Sequence, residues 1–114
     1  MSDLLTQYNV TFYKENLNGY ITHTSRGGGL ANFLDHFQDL DNIADGLANV
    51  QYYIEKGTDD YEKCTVSGEL YTVWLDNETA DIYPSTGNTE HLLQSIPLTD
   101  FHDILRQWLN FIKN

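Results

Sequence analysis

Four histidines, one cysteine and seventeen carboxylates are the residues of this 114-residue chain with chemistry to offer, and their spacing decides which chemistry. His23, His36, His91 and His102 stand on different segments, without ligand-like spacing to one another or to Cys64, whereas a metal site needs three or four converging donors. They read as unrelated surface or rim histidines, so no metal or other cofactor is expected. Cys64 has no neighbouring motif to make it a nucleophile and reads as a small apolar side chain on a strand. Ser25-Arg26-Gly27-Gly28-Gly29 offers backbone N–H groups that could cradle a phosphate. It lacks P-loop spacing and a following Lys-Ser or Lys-Thr, so a flexible loop or bulge is expected, with Arg26 tying down a local carboxylate. Catalytic carboxylate pairs need burial that drives their pKa values apart. Asp59, Asp60, Glu62, Asp76, Glu78 and Asp81 fall instead in turns or on alternating strand positions open to water, so no enzymatic activity is expected.

What the acids do collectively is clearer. Seventeen Asp plus Glu against six Lys plus Arg give a formal net charge of -11. Such a charge steers cationic partners toward the protein and repels nucleic acid and anionic membranes. The expected partner is a basic protein domain, with no direct nucleic-acid binding, no membrane association and the oligomeric state left open. Ordinary surface solvation accounts for the same composition. Position adds to the argument: Asp35, Asp39, Asp41, Asp45, Glu55, Asp59, Asp60 and Glu62 run through a central helical region and its exit loop, interleaved with Tyr52, Tyr53 and Tyr61. Interfaces favour tyrosine anchors inside a charged rim. The expected binding set is therefore Asp39, Asp41, Asp45, Tyr52, Tyr53, Asp59, Asp60, Tyr61 and Glu62, with Asp76, Glu78 and Asp81 as an alternative patch on a hairpin turn.

The elements that must position these residues follow from periodicity. Tyr8 to Glu15 alternates with period two and, across the turn Asn16-Leu17-Asn18-Gly19, pairs with Tyr20 to Thr24 as a hairpin. Leu30, Phe33, Leu34 and Phe37 recur at the spacing of a short helix or an irregular segment. From Asp39 to Lys56, Leu40, Ile43, Leu47, Val50 and Ile54 mark a helical stripe, started by Asp39 and Asp41 and stopped by Gly57, with Gly46 as a weak point. Cys64 to Val66, Glu69 to Leu75, Thr79 to Tyr83 and Leu92 to Ile96 read as strands. Thr99 then N-caps a terminal helix whose apolar face is Phe101, Ile104, Leu105, Trp108, Phe111 and Ile112, expected to pack on the sheet. The expected architecture is α+β: one domain over 1–114, an antiparallel sheet built from hairpins and covered mainly on one side, a central helical region and a C-terminal amphipathic helix. Aromatics at 13% supply the bulk for the core of so short a chain. The single cysteine, the absence of a secretory start and the lack of any apolar run near about 20 residues point to a cytoplasmic address.

The C-terminal third carries a resemblance. Thr79-Ala80-Asp81-Ile82-Tyr83-Pro84, then Ser95-Ile96-Pro97-Leu98-Thr99-Asp100-Phe101 and Leu105-Arg106-Gln107-Trp108-Leu109, resembles small bacterial immunity proteins of polymorphic toxin and contact-dependent growth inhibition systems, whose chains often end in an Ile-Pro-Leu-x-x-Phe entry to an amphipathic helix bearing a Trp. The resemblance implies an acidic antitoxin made beside a toxin, often a nuclease, which it neutralises in the cytosol. The expected function is thus a non-catalytic immunity protein that binds a basic toxin domain through an acidic, tyrosine-bearing face. Two alternatives stay open: a nucleic-acid-mimicking inhibitor of another DNA-binding protein, and a small-ligand or enzyme domain using the Gly27 to Gly29 loop.

Overall fold

A computed structural model describes residues 3–56, 65–67, 70–76, 78–84 and 92–113. In chain order the elements are α1 (Asp3–Gln7), β1 (Thr11–Leu17), β2 (Tyr20–Arg26), α2 (Gly29–Asp35), α3 (Leu40–Lys56), β3 (Thr65–Ser67), β4 (Tyr71–Leu75), β5 (Thr79–Pro84), β6 (Gln94–Pro97) and α4 (Leu98–Lys113). They form an α+β fold of a two-stranded hairpin, β1–β2, and a four-stranded antiparallel sheet in the order β3-β4-β5-β6. Among the described residues no helix is long and apolar enough to cross a membrane.

The core is built around α4. Phe101, Ile104, Leu105 and Trp108 are fully buried, and the helix packs against α3 as well as β5 and β6. The sheet contributes Val66, Val73, Leu75, Ala80, Ile82 and Ile96, while α2 contributes Leu30, Ala31, Phe33 and Leu34. Side chains of a strand alternate between faces, so these inward residues leave the opposite face to Thr65, Trp74, Asp81 and Ser95, directly opposed across the four strands. No residue of that opposite row is buried.

Several boundaries differ from the sequence expectation. The first hairpin turns on two residues, Asn18 and Gly19, at φ 55° and 90°; a two-residue loop with both φ positive matches the twist of its strands, so β1 continues through Leu17. Tyr8 and Val10 precede the strand, and the hairpin from Tyr13 to Thr22 is exposed throughout rather than half-buried. Phe12 reaches the core, its ring 4.9 Å from Trp108 and 5.2 Å from Phe111, and Ser25 is buried near the end of β2. A short helix unforeseen in the sequence, α1, leads into it, and the Tyr8 hydroxyl donates to Asp100 Oδ2 at 2.6 Å. Partial burial and then this carboxylate push the Tyr8 phenol up to about 12. Thr99 lies inside the first turn of α4, which starts at Leu98 directly from β6 with Leu98 N–H donating to Glu78 O. Gly57 and Cys64 lie outside the described residues.

Gly46 is no weak point. A Cβ there would stand 3.0 Å from Val66 Cγ1 and 3.6 Å from Leu105 Cδ2, so the missing side chain lets α3 close on both β3 and α4. Gly27 has a similar role, since at φ 148° a Cβ would meet Asn9 O at 1.8 Å.

Candidate functional site

Between Arg26 and Lys56 the sequence holds Asp35, Asp39, Asp41, Asp45 and Glu55 and no Lys or Arg. Four of these carboxylates belong to the end of α2, the α2–α3 connection and the first half of α3, and internal hydrogen bonds fix the connection. Asp35 Oδ1 accepts from Ser25 N–H at 3.0 Å, and the Gln38 amide donates to His23 O and Asp35 O, both at 2.8 Å. Phe37 is buried, and its carbonyl accepts from Trp108 Nε1 at 2.8 Å. Asp39 caps α3, its carboxylate accepting from Asn42 N–H at 3.1 Å.

This bracing sets Asp35, Asp39 and Asp45 around an open trough. One part, of about 580 Å³, is bordered by Asp35, Gln38, Asp39, Asn42 and Ser67. It shares Phe37, Asn42 and Ser67 with a second hollow of about 230 Å³ that runs between Asp45 and Asn49 of α3 and the β3 strand. Among the described residues neither part has a Lys or Arg in its lining. Asp41 and Asp45 are exposed and have no hydrogen bond or ion pair among the described residues. Such like charges at i and i+4 on a helix cost a few tenths of a kcal/mol each, about 0.2–0.5, a penalty that an external cation removes.

The structure places Asp39, Asp41 and Asp45 together at the start of α3, apart from Tyr52 and Tyr53 further along the same helix. Tyr53 is 3% exposed and corrects its reading as a surface anchor, because the inward stripe of α3 is Ile43, Gly46, Val50 and Tyr53. Tyr52 is half-buried against the core, its ring centroid 6.4 Å from that of Tyr53. It lies seven residues beyond Asp45, about 10 Å along the helix axis at 1.5 Å per residue. Asp59, Asp60, Tyr61 and Glu62 lie outside the described residues.

The alternative patch also divides. Asp76 serves its own turn, with Oδ1 accepting from Glu78 N–H at 2.8 Å and Thr79 N–H at 2.7 Å and Oδ2 from the Thr79 hydroxyl at 3.0 Å. Partial burial raises its pKa, but these three donors together outweigh it and hold the carboxyl below its ordinary value. Glu78 is exposed beside it. Asp81 instead lies on the open face of the sheet, where its Oδ1 accepts from the Ser95 hydroxyl at 2.5 Å. Its neighbour there is Trp74, 43% exposed, which sequence reasoning missed as a surface residue. The signal was present: with Val73 and Leu75 inward, alternation turns Trp74 outward.

The remaining chemistry is dispersed. Among the described residues no group of three or more His, Cys, Asp and Glu is placed to hold a metal ion. His23 packs edge-on against Phe111 and His36 against Tyr71; His91 lies outside the described residues. Burial and then the Arg106 charge lower the His102 pKa, against a smaller opposing effect of Asp103. The Gly27 to Gly29 loop is occupied by packing: Leu30 N–H donates to Gln94 Oε1 at 2.8 Å, and Gly29 lies against Leu93. Asp35, rather than Arg26, ties down this segment, through Ser25. No protein-family model, curated protein or solved structure matches the chain.

Proposed function

We propose that this chain is a non-catalytic immunity protein that captures a basic toxin domain, such as a nuclease, in the cytoplasm and holds it inactive. The observation that carries this reading is the set of carboxylates at the start of α3: Asp41 and Asp45 are unpartnered among the described residues, and Asp45 lines the trough that Asp35 and Asp39 border, in a stretch with no cation of its own. Supporting it are the charge of -11 and the resemblance of the C-terminal third to immunity proteins.

The physical role of the acids is twofold. At long range the summed field accelerates encounter with a cationic surface, because complementary potentials act mainly on the association rate. At contact, carboxylates projecting from a rigid helix can occupy the positions of substrate phosphates, or sit beside them and exclude substrate by bulk. Asp39 is held by its capping bond, so part of the array is pre-organised, which lowers the ordering cost of binding.

The test compares partners of opposite charge. At ~0.15 M salt, where screening acts over about 8 Å, the protein should bind the basic domain encoded beside it and leave duplex DNA and single-stranded RNA unbound. Appreciable affinity for either nucleic acid, with none for the basic domain, overturns the reading.

A further inference from the structure

From Cys64 to Leu105 the sequence contains no Lys and no Arg, and this stretch supplies all four strands of the larger sheet. Its open face therefore has no cation from its own strands to set against its acid and aromatic groups. Trp74 is directly opposed by Asp81, and Tyr83 by Thr72. Diagonal neighbours on one face of an antiparallel pair are roughly 7–8 Å apart, which puts Tyr83 on the same face as Trp74 at the diagonal position, with Asp81 directly across from Trp74 and two residues from Tyr83 on its strand. Among the described residues neither Trp74 nor Tyr83 has a ring or hydrogen-bond partner. Asp81 commits one oxygen to Ser95 and leaves the other available. Trp74 thus combines a large exposed ring with an adjoining carboxylate on a rigid strand.

We propose that the open face of the β3-β4-β5-β6 sheet is an arginine-docking surface, on which a guanidinium of the partner stacks against Trp74 and Tyr83 while Asp81 accepts its N–H groups. The inference rests on the reading of the partner as basic and adds, to the α3 carboxylates, a second contact on the sheet and the side chain it receives. Arginine fits better than lysine for a geometric reason. A planar guanidinium stacks flat on an aromatic ring and forks onto a carboxylate at the same time, whereas an ammonium is a compact, strongly hydrated point charge. Tryptophan, tyrosine and arginine are also the residue types that dominate interface energetics. The strand pairing fixes the backbone positions of the three receiving residues, and Thr65 and Ser95 at the ends of the row supply a polar rim.

The experiment uses two short acetylated peptides, one carrying arginines and the other lysines at the same positions, titrated into the full chain by calorimetry. Tryptophan emission is followed in parallel. Trp108 is fully buried, so the response reports on Trp74. The arginine peptide should bind saturably, shift the emission, and bind roughly tenfold more tightly than the lysine peptide. Trp74→Leu and Asp81→Asn should each weaken it by a similar factor while leaving the melting temperature unchanged. Equal affinities for the two peptides, or undiminished binding to the Trp74→Leu protein, overturn the proposal. Loss of binding only in an Asp41→Asn/Asp45→Asn protein also overturns it, but leaves the basic-partner reading standing with the site on α3. If neither peptide binds any form, and the basic domain encoded beside the chain does not bind either, both fall.

Discussion

Replacing Trp108 by alanine should remove a large part of the fold's stability, because this one side chain joins three layers. It is fully buried on α4, lies against Phe12 of the hairpin, and donates to the carbonyl of Phe37 at 2.8 Å in the α2–α3 connection. Truncating a buried tryptophan costs about 3–5 kcal/mol, and a buried carbonyl left without its donor adds about 1–3 kcal/mol. These losses overlap, so an expected total of about 4–6 kcal/mol stands against a typical domain stability of about 5–15 kcal/mol. For a chain of this length that corresponds to a fall of roughly 12–25 °C in melting temperature. Trp108→Phe separates the contributions: it keeps most of the ring packing but drops the hydrogen bond, for about 1–3 kcal/mol. Thermal and urea melts followed by circular dichroism read both values. Amide exchange adds a link to the binding face: freeing the Phe37 carbonyl should speed exchange across Gln38 to Asn42 in the phenylalanine variant, while Ile104 and Leu105 stay protected. A Trp108→Ala protein melting within a few degrees of wild type would refute the reasoning and make α4 peripheral.

Two further outcomes follow from single contacts. Gly46→Leu should destabilise by about 1–3 kcal/mol through overpacking, despite a helix-propensity gain of about 1 kcal/mol, because the new side chain meets Val66 and Leu105; adding Val66→Ala should recover part of the loss, and a Gly46→Leu protein as stable as wild type in urea would show that α3 and β3 are not closely apposed. His102 has its pKa lowered in the fold by burial and Arg106, so the unfolded chain binds the extra proton first as pH falls; stability present above pH ~6.5 should be lost as pH drops through the lower folded value, and a His102→Gln protein should lack that component of the slope in urea titrations.

Much of the architecture could be read from side-chain type alone. The face of α4 is broad and strongly apolar, and its central residues Phe101, Ile104, Leu105 and Trp108 are all fully buried. Leu30, Phe33, Leu34 and Phe37 were legible in the same way. Helix α3 was legible as an element but not in its rotation. The apolar stripe through Leu40 and Ile54 gives way to an inward face at Ile43, Gly46, Val50 and Tyr53, leaving Leu40 43% exposed. Hydropathy could not show this, since the face is set by where β3 and α4 approach, and the closest approach is made through a glycine. A single-turn helix such as α1 is too short to produce a period. The acidity of the central region was also plain from composition. What needed tertiary information was the fate of each acid: Asp76 spent on its own turn, Asp39 on a helix cap, Asp41 and Asp45 facing out, and Asp81 placed beside Trp74 by a strand register that no local pattern encodes.

The central claim, that this chain neutralises a basic toxin by binding it, is tested most directly by growth rescue. A candidate basic toxin domain would be induced in cells with and without the protein, the two polypeptides being recovered together from survivors. Full growth and a stable complex are expected with the wild-type chain, and reduced rescue with a variant carrying Asp41→Asn, Asp45→Asn and Trp74→Leu that still folds. Cells that die despite abundant folded wild-type protein, with no complex recovered, would contradict it.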